Sequence, residues 1–215
     1  SLRDATSGRV IWVADSVVPR SELVSIDPLL LIARGEKTAT LVALDEGTGS
    51  ILWLRSVASS HTLAVSPYAP YVFLAERSGR RQIRLSALDA RRDTLLWAQD
   101  RRWRDLPRLV VLGPNHVVAI RDTTEALSTI NGTVLWRLPD LRAANLVTTN
   151  SGAIIFTTTG DIVAVDSAGR PRWRVLSAAS GTTASFAIDE QRIIVAWSHD
   201  SLPVRVAAFQ LADGS

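Results

Sequence analysis

Five tryptophans, Trp12, Trp53, Trp97, Trp136 and Trp173, fall 41, 44, 39 and 37 residues apart, and each closes the same phrase. The fullest copy is Leu41-Val42-Ala43-Leu44-Asp45-Glu46-Gly47-Thr48-Gly49-Ser50-Ile51-Leu52-Trp53. Further copies run from Leu85 to Trp97, Ala126 to Trp136 and Ile162 to Trp173. Residues 5–12 hold the tail of another, and residues 206–214 the head of a sixth. A period of about 40 residues admits two architectures, four-stranded propeller blades and helical-pair solenoids. The turn chemistry chooses between them. Each phrase is a short aliphatic run, an Asp/Gly/Thr/Ser turn, and a second aliphatic run, which is the pattern of a β-hairpin. Gly47, Gly49, Gly132 and Gly169 would interrupt a helix at that point.

Two more strand-like runs separate successive phrases. They are His61–Ser66 with Tyr71–Ala75, Arg108–Leu112 with His116–Ile120, Asn145–Thr149 with Ala153–Thr157, and Ala184–Ile188 with Arg192–Trp197. Turn residues divide each pair, as in Ser66-Pro67-Tyr68-Ala69-Pro70, Gly113-Pro114-Asn115 and Asn150-Ser151-Gly152. Two strands and a hairpin make a four-stranded antiparallel meander. The expected fold is therefore all-β, a β-propeller with about five blades represented. The repeats are 14–53, 54–97, 98–136, 137–173, and 174–215 with 1–13. On this reading small and branched side chains of the inner strands fill the wedge between sheets. The tryptophan of the outer strand covers the flank of the next blade, where an indole buries about 150–250 Å². Trp12, Trp53, Trp97, Trp136 and Trp173 are thus expected to dock blades rather than stack on a ligand.

Ala-Leu-Asp, then Thr-Gly, then a branched pair and Trp resembles the repeat of the pyrroloquinoline-quinone-type β-propellers. The likeness is fullest at residues 41–53, good at 85–97 and 162–173, and weaker at 126–136, where Ser128-Thr129-Ile130-Asn131 replaces the acidic start of the turn. The family includes quinoprotein alcohol dehydrogenases, a propeller lipoprotein of bacterial outer-membrane assembly, and propeller sensor domains attached to serine/threonine kinases. The resemblance implies a fold and a docking device more than an activity. It also implies rings of seven or eight blades, so the chain reads either as a closed five-bladed ring, its termini paired, or as an excerpt of a larger one. Quinoprotein dehydrogenases of this shape resemble one another in a vicinal cysteine pair, a calcium ion held by carboxylate and amide oxygens, and a catalytic aspartate. Here there is no cysteine and no carboxylate run with calcium-loop spacing. Asp45, Asp89 and Asp166 recur at one place in the repeat, where they are expected to cap turns. Pyrroloquinoline quinone with calcium is therefore not expected.

The absence of cysteine also excludes disulfide scaffolds, thiolate zinc sites and cysteine nucleophiles. With 47% hydrophobic and 21% charged residues the chain is globular rather than disordered. No apolar run approaches the roughly 18 residues of a membrane-spanning helix. Of 24 basic residues only Lys37 is lysine. Arginine suits phosphate and carboxylate, but the same bias follows from GC-rich codon usage, and the net charge of +3 is modest. No nucleic-acid partner is expected. Arg80, Arg81 and Arg84 surround one turn, and more arginines crowd residues 91–108, interleaved with Asp89, Asp93, Asp100 and Asp105. Residues 98–107 interrupt the strand pattern and read as an inserted loop, and loops on rigid scaffolds are common binding elements. Arg101, Arg102, Trp103 and Arg104 are the candidate partner-binding residues.

Ser60-His61 and His199-Asp200-Ser201 hold residue types of nucleophilic catalysis, but adjacency in sequence is not a triad, and no catalytic residue is assigned. Asn131-Gly132-Thr133 matches a glycosylation acceptor only in a eukaryotic secretory setting; Asn-Gly is equally a hairpin turn. The expected role is a non-enzymatic scaffold for a protein or peptide partner, on the extracytoplasmic side by the family resemblance. A fragment of a quinone-dependent dehydrogenase and a ligand-sensing ectodomain are the alternatives.

Overall fold

The computed structural model describes residues 2–3, 7, 10–12, 22–26, 29–34, 39–139, 141–149, 151–175, 183–189, 191–198 and 205–215. Every regular element among them is a strand. The chain divides into two compact units, Ser1–Leu109 with Ile130–Gly132, and Val110–Thr129 with Thr133–Ser215.

The first unit opens with a short antiparallel pair, β1 (Leu2–Arg3) and β2 (Val10–Trp12). Two four-stranded antiparallel sheets follow. One is β3 (Glu22–Ile26), β4 (Leu29–Arg34), β5 (Ala39–Asp45) and β6 (Ile51–Val57). The other is β7 (His61–Val65), β8 (Tyr71–Gly79), β9 (Gln82–Asp89) and β10 (Thr94–Arg101). The next sheet, which from Val110 on lies in the second unit apart from residues 130–132, is β11 (Arg108–Leu112), β12 (His116–Ile120), β13 (Thr124–Ser128) and β14 (Val134–Leu138). After these come β15 (Ala143–Thr149), β16 (Gly152–Thr157), β17 (Ile162–Asp166) and β18 (Pro171–Val175). The last sheet is β19 (Thr183–Ile188), β20 (Arg192–Ser198) and β21 (Arg205–Gln210). Strand order in every sheet follows chain order, so each is a meander, as the repeat pattern predicts.

Strand alternation sends the two faces of the β15–β18 sheet into different cores. In β16 and β17 the odd and even residues go to different cores. Ala153, Ile155, Val163 and Val165 pack with Leu112, Val118, Ile120, Ala126 and Leu146. Ile154, Phe156, Ile162 and Ala164 pack instead with Ile193 and Val195. A sheet buried on both faces needs apolar side chains in unbroken runs. That is the pattern of Leu41–Leu44, Leu85–Leu88 and Ile162–Val165, all buried; Ser86, 4% exposed, is the one polar residue among them. In the first unit Leu41 and Ala43 meet Val72, Leu74 and Leu88 in the same manner.

Within each repeated hairpin the outer strand carries a bulge one residue before its tryptophan. Trp53 lies opposite Ala43, Trp97 opposite Ala87, Trp136 opposite Ala126 and Trp173 opposite Ala164. Leu52, Leu96, Leu135 and Arg172 are the extra residues. A bulge bends its strand and increases local twist, and an alanine opposite leaves room for the indole. The alanine of the phrase and its distance from the tryptophan therefore have one cause. Strand β10 corrects one expectation: it runs to Arg101, with Arg101 paired to Ile83 and Asp100 to Arg84. The inserted loop shrinks to residues 102–107, because the long β8–β9 hairpin gives residues 98–101 a ladder to join.

Candidate functional site

The repeated tryptophans are joints. Each described indole of the series is half-buried. Trp53 Nε1 donates to the Ala90 carbonyl at 2.7 Å, Trp136 Nε1 to Ser167 at 3.0 Å and Trp173 Nε1 to Leu211 at 3.0 Å. In each case the acceptor lies in the hairpin turn of the following repeat. A turn glycine lies flat on the ring face: Gly132 on Trp97, Gly169 on Trp136 and Gly214 on Trp173. Trp136 and Trp173 thus have both a face and the donor engaged, Trp53 its donor and Trp97 a face. The side chain of Trp12 lies outside the described residues.

The recurrent aspartates cap the same turns. Asp45 Oδ1 accepts from Thr48 N and Thr48 Oγ1, both at 2.8 Å. Asp89 Oδ1 accepts from Arg91 N at 2.9 Å, and Asp166 Oδ1 from Ala168 N at 2.9 Å and Arg170 N at 2.8 Å. Their oxygens serve turn amides, and among the described residues no three His, Asp or Glu gather into a cation site.

The arginines behave differently. Strands β8 and β9 form a hairpin whose tip is Arg80-Arg81, with Gly79 opposite Gln82. Antiparallel strands bring the end of β10 back to this same end of the sheet. There Arg80, Arg81, Gln82, Arg102 and Arg104 line an open groove of about 710 Å³. At this end of the sheet Asp100 pairs with Arg84 at 3.2 Å, and Asp105 in the 102–107 loop is exposed. The bond to Asp100 and its charge push the Arg84 guanidinium further up. Among the described residues Arg80, Arg81, Arg102 and Arg104 enter no ion pair.

The loop carrying Arg102 and Arg104 is anchored. Thr62 Oγ1 donates to the Pro107 carbonyl at 2.7 Å, and Arg77 Nη2 to the Arg104 carbonyl at 3.1 Å. Arg77 Nη1 reaches the Arg80 carbonyl at 3.5 Å, so one guanidinium spans both walls. Trp103 is only 8% exposed. It packs the loop down instead of presenting an aromatic surface, which removes it from the expected partner-binding set. Arg101 is half-buried, its Nη2 donating to Gln99 Oε1 at 2.7 Å. Of the four expected residues the structure thus brings Arg102 and Arg104 together and joins to them Arg80 and Arg81. The missed signal was strand parity: a β8–β9 turn and a strand leaving β10 share one end of a meander.

Other candidates resolve as structural. His61 Nδ1 is 2.8 Å from the Ala58 carbonyl oxygen, which fixes its ring beside the exposed Ser60. Burial pushes the His116 imidazole down, toward its neutral form. Asn131-Gly132 is a hairpin turn with Gly132 at φ +72°. His199-Asp200-Ser201 lies outside the described residues.

A family model described as outer membrane protein assembly factor BamB matches residues 1–124. None of the curated proteins matches the chain by sequence. Among solved structures, BamB from Moraxella catarrhalis superposes with a TM-score of 0.64 at 17% identity, over 88% of this chain and 60% of that one. The β-propeller domain of Myceliophteria thermophila Cps50 (Swd1) gives 0.57 at 14% identity, over 88% and 70%. The computationally designed Ika8 protein gives 0.56 at 14% identity, over 99% and 78%. These likenesses show a propeller fold. The chain spans about 60% of the length of the BamB structure it matches.

Proposed function

Since the chain belongs to the family of the outer membrane protein assembly factor BamB, built from pyrroloquinoline-quinone-type propeller repeats, we propose that it is a scaffold holding a protein partner at the arginine groove. In this reading it works on the extracytoplasmic side of an envelope, as its family resemblance suggests, and uses neither quinone nor metal. Among the described residues no helix is long and apolar enough to cross a membrane.

The groove is the observation that carries the reading. A meander that ends in an anchored groove lined by four arginines and no carboxylate offers a place to hold a partner, because scaffolds place their binding residues on loops held by packed sheets. Photo-crosslinking tests it. A benzophenone side chain at position 82, carried by the chain in the envelope fraction of its source cell, is expected to capture a defined partner. The same label at position 92, exposed at the opposite end of the sheet, is expected to capture none. Equal capture at both positions, or none at position 82, removes the groove as the docking surface. Tryptophan fluorescence during titration with pyrroloquinoline quinone and calcium tests the cofactor part; a saturable change would overturn it.

A further inference from the structure

We propose that the groove takes an extended acidic segment of its partner, with Asp or Glu carboxylates held by guanidinium groups from two separate stretches of chain, Arg80-Arg81 and Arg102 with Arg104. This rests on the scaffold reading and names the chemistry that the partner must carry.

Four arginines line the groove with one amide, Gln82, and no carboxylate. Asp100, the acid at this end of β10, is bound to Arg84, and Asp105, in the same loop, enters no ion pair among the described residues, so the four arginines outnumber the one acid beside them. A guanidinium presents a planar fork of donors that matches a carboxylate or a phosphate oxygen pair. The groove volume, about 710 Å³, is far larger than one such anion and falls in the range of sites that enclose a multi-group ligand. The ligand is therefore a chain of anionic groups. Nucleic acid is disfavoured by the aromatic content. Single-strand sites stack bases on exposed rings, and the one aromatic residue of this loop, Trp103, is buried. A peptide needs no such platform. The anchoring of the loop by Thr62 and Arg77 means that little chain has to be ordered on binding, which lowers its cost.

Fluorescence anisotropy on the full chain tests this, with a short labelled peptide of alternating glutamate and glycine as the probe. The glutamate peptide is expected to bind, and a lysine–glycine peptide not. Added salt should weaken binding, as it does for exposed charge pairs. R80E/R102E is expected to lower affinity about tenfold or more, and R80Q/R102Q by less, in line with the loss of charge pairs at an interface. R92E/R170E changes net charge by the same amount at exposed positions outside the groove and should leave affinity unchanged. Thermal unfolding of each variant checks that the fold is retained. Equal losses in the two reversed pairs would mean diffuse attraction and overturn the proposal. So would groove-dependent binding of tripolyphosphate or a single-stranded oligonucleotide that is tighter than that of the peptide. If the glutamate peptide fails while crosslinking at position 82 persists, the groove still docks a partner, but not through an acidic segment. If the peptide binds while that crosslink is absent, the chemistry stands and the scaffold reading falls.

Discussion

A Cβ built on Gly169 would stand 2.6 Å from Cδ2 of Trp136, and the glycine holds φ +76°. Two demands therefore coincide at one residue, a left-handed backbone and a face-on approach of chain to ring. Gly113 meets only the first: φ is +65°, and nothing lies within 4 Å of its added Cβ. Gly113→Ala should cost about 1–2 kcal/mol, the penalty for a side chain in the left-handed region. Gly169→Ala should cost about 1–3 kcal/mol more, because the ring must be displaced from a packed site. Urea midpoints of the two variants give the comparison. Equal losses would show that the indole does not press on the glycine.

The second repeat meets the left-handed requirement differently. Asp93 stands where the other turns have glycine, at φ +51°. Arg55 holds it, donating through Nε to Asp93 Oδ1 at 2.6 Å and through Nη2 to the Asp93 carbonyl at 2.9 Å. Strain and ion pair oppose one another. Asp93→Gly is expected to be nearly neutral in the native background and to stabilise by about 1 kcal/mol in an Arg55→Ala background. The coupling in that double-mutant cycle should be about 0.5–1.5 kcal/mol, since both side chains remain partly solvated. A cycle that closes with no coupling refutes the link.

What the sequence revealed and what it hid follows from the range of each interaction. The hairpin phrase is local, so its strands, its capping aspartates and its docking tryptophans could be read from spacing alone. Arg108–Leu112 and His116–Ile120 fall where the alternation places them. Strand β8 continues to Gly79, four residues past the apolar run ending at Ala75, because Glu76 and Arg77 find partners in Arg84 and Ile83. Those residues are polar, and a cross-strand ladder leaves no trace in one strand's own pattern. The same blindness turned residues 98–101 into a loop. Trp103 misleads for a related reason: its loop is held by a long-range bond from Thr62 to the Pro107 carbonyl, and its burial leaves no mark in the local sequence. The groove itself joins two arginine pairs separated in sequence by all of β9 and β10, and only the folded meander brings them to one edge.

The indole hydrogen bonds differ in how well their acceptors are screened from water. Ala90, which accepts from Trp53, is wholly buried. Ser167, which accepts from Trp136, is exposed. Replacing tryptophan by phenylalanine keeps most of the ring and removes the donor. A carbonyl stranded without water costs about 1–3 kcal/mol, whereas one that water reaches costs little. Trp53→Phe should therefore destabilise by about 1–2 kcal/mol more than Trp136→Phe in urea unfolding. The reverse order would mean that ring packing, and not the hydrogen bond, sets the strength of each joint.

Acid should loosen the turns before it reaches the cores. Side-chain and backbone hydrogen bonds from Thr48 hold Asp45 below its ordinary value. Backbone donors Gln191 and Arg192 do the same for Asp189, and backbone and side-chain donors of Ser215 for Asp213. A carboxylate whose pKa is depressed in the folded chain stabilises the fold at every pH above its unfolded value, about 3.9, and that contribution is lost as pH falls through the folded value. Between about pH 5 and 7 these three groups should leave stability flat. Below about pH 4 the urea midpoint should drop. The asparagine variant at all three positions should show a shallower fall over that acid range, because its side chains no longer take up protons on unfolding. An acid limb of unchanged slope in that variant would show that these three turn caps do not set it.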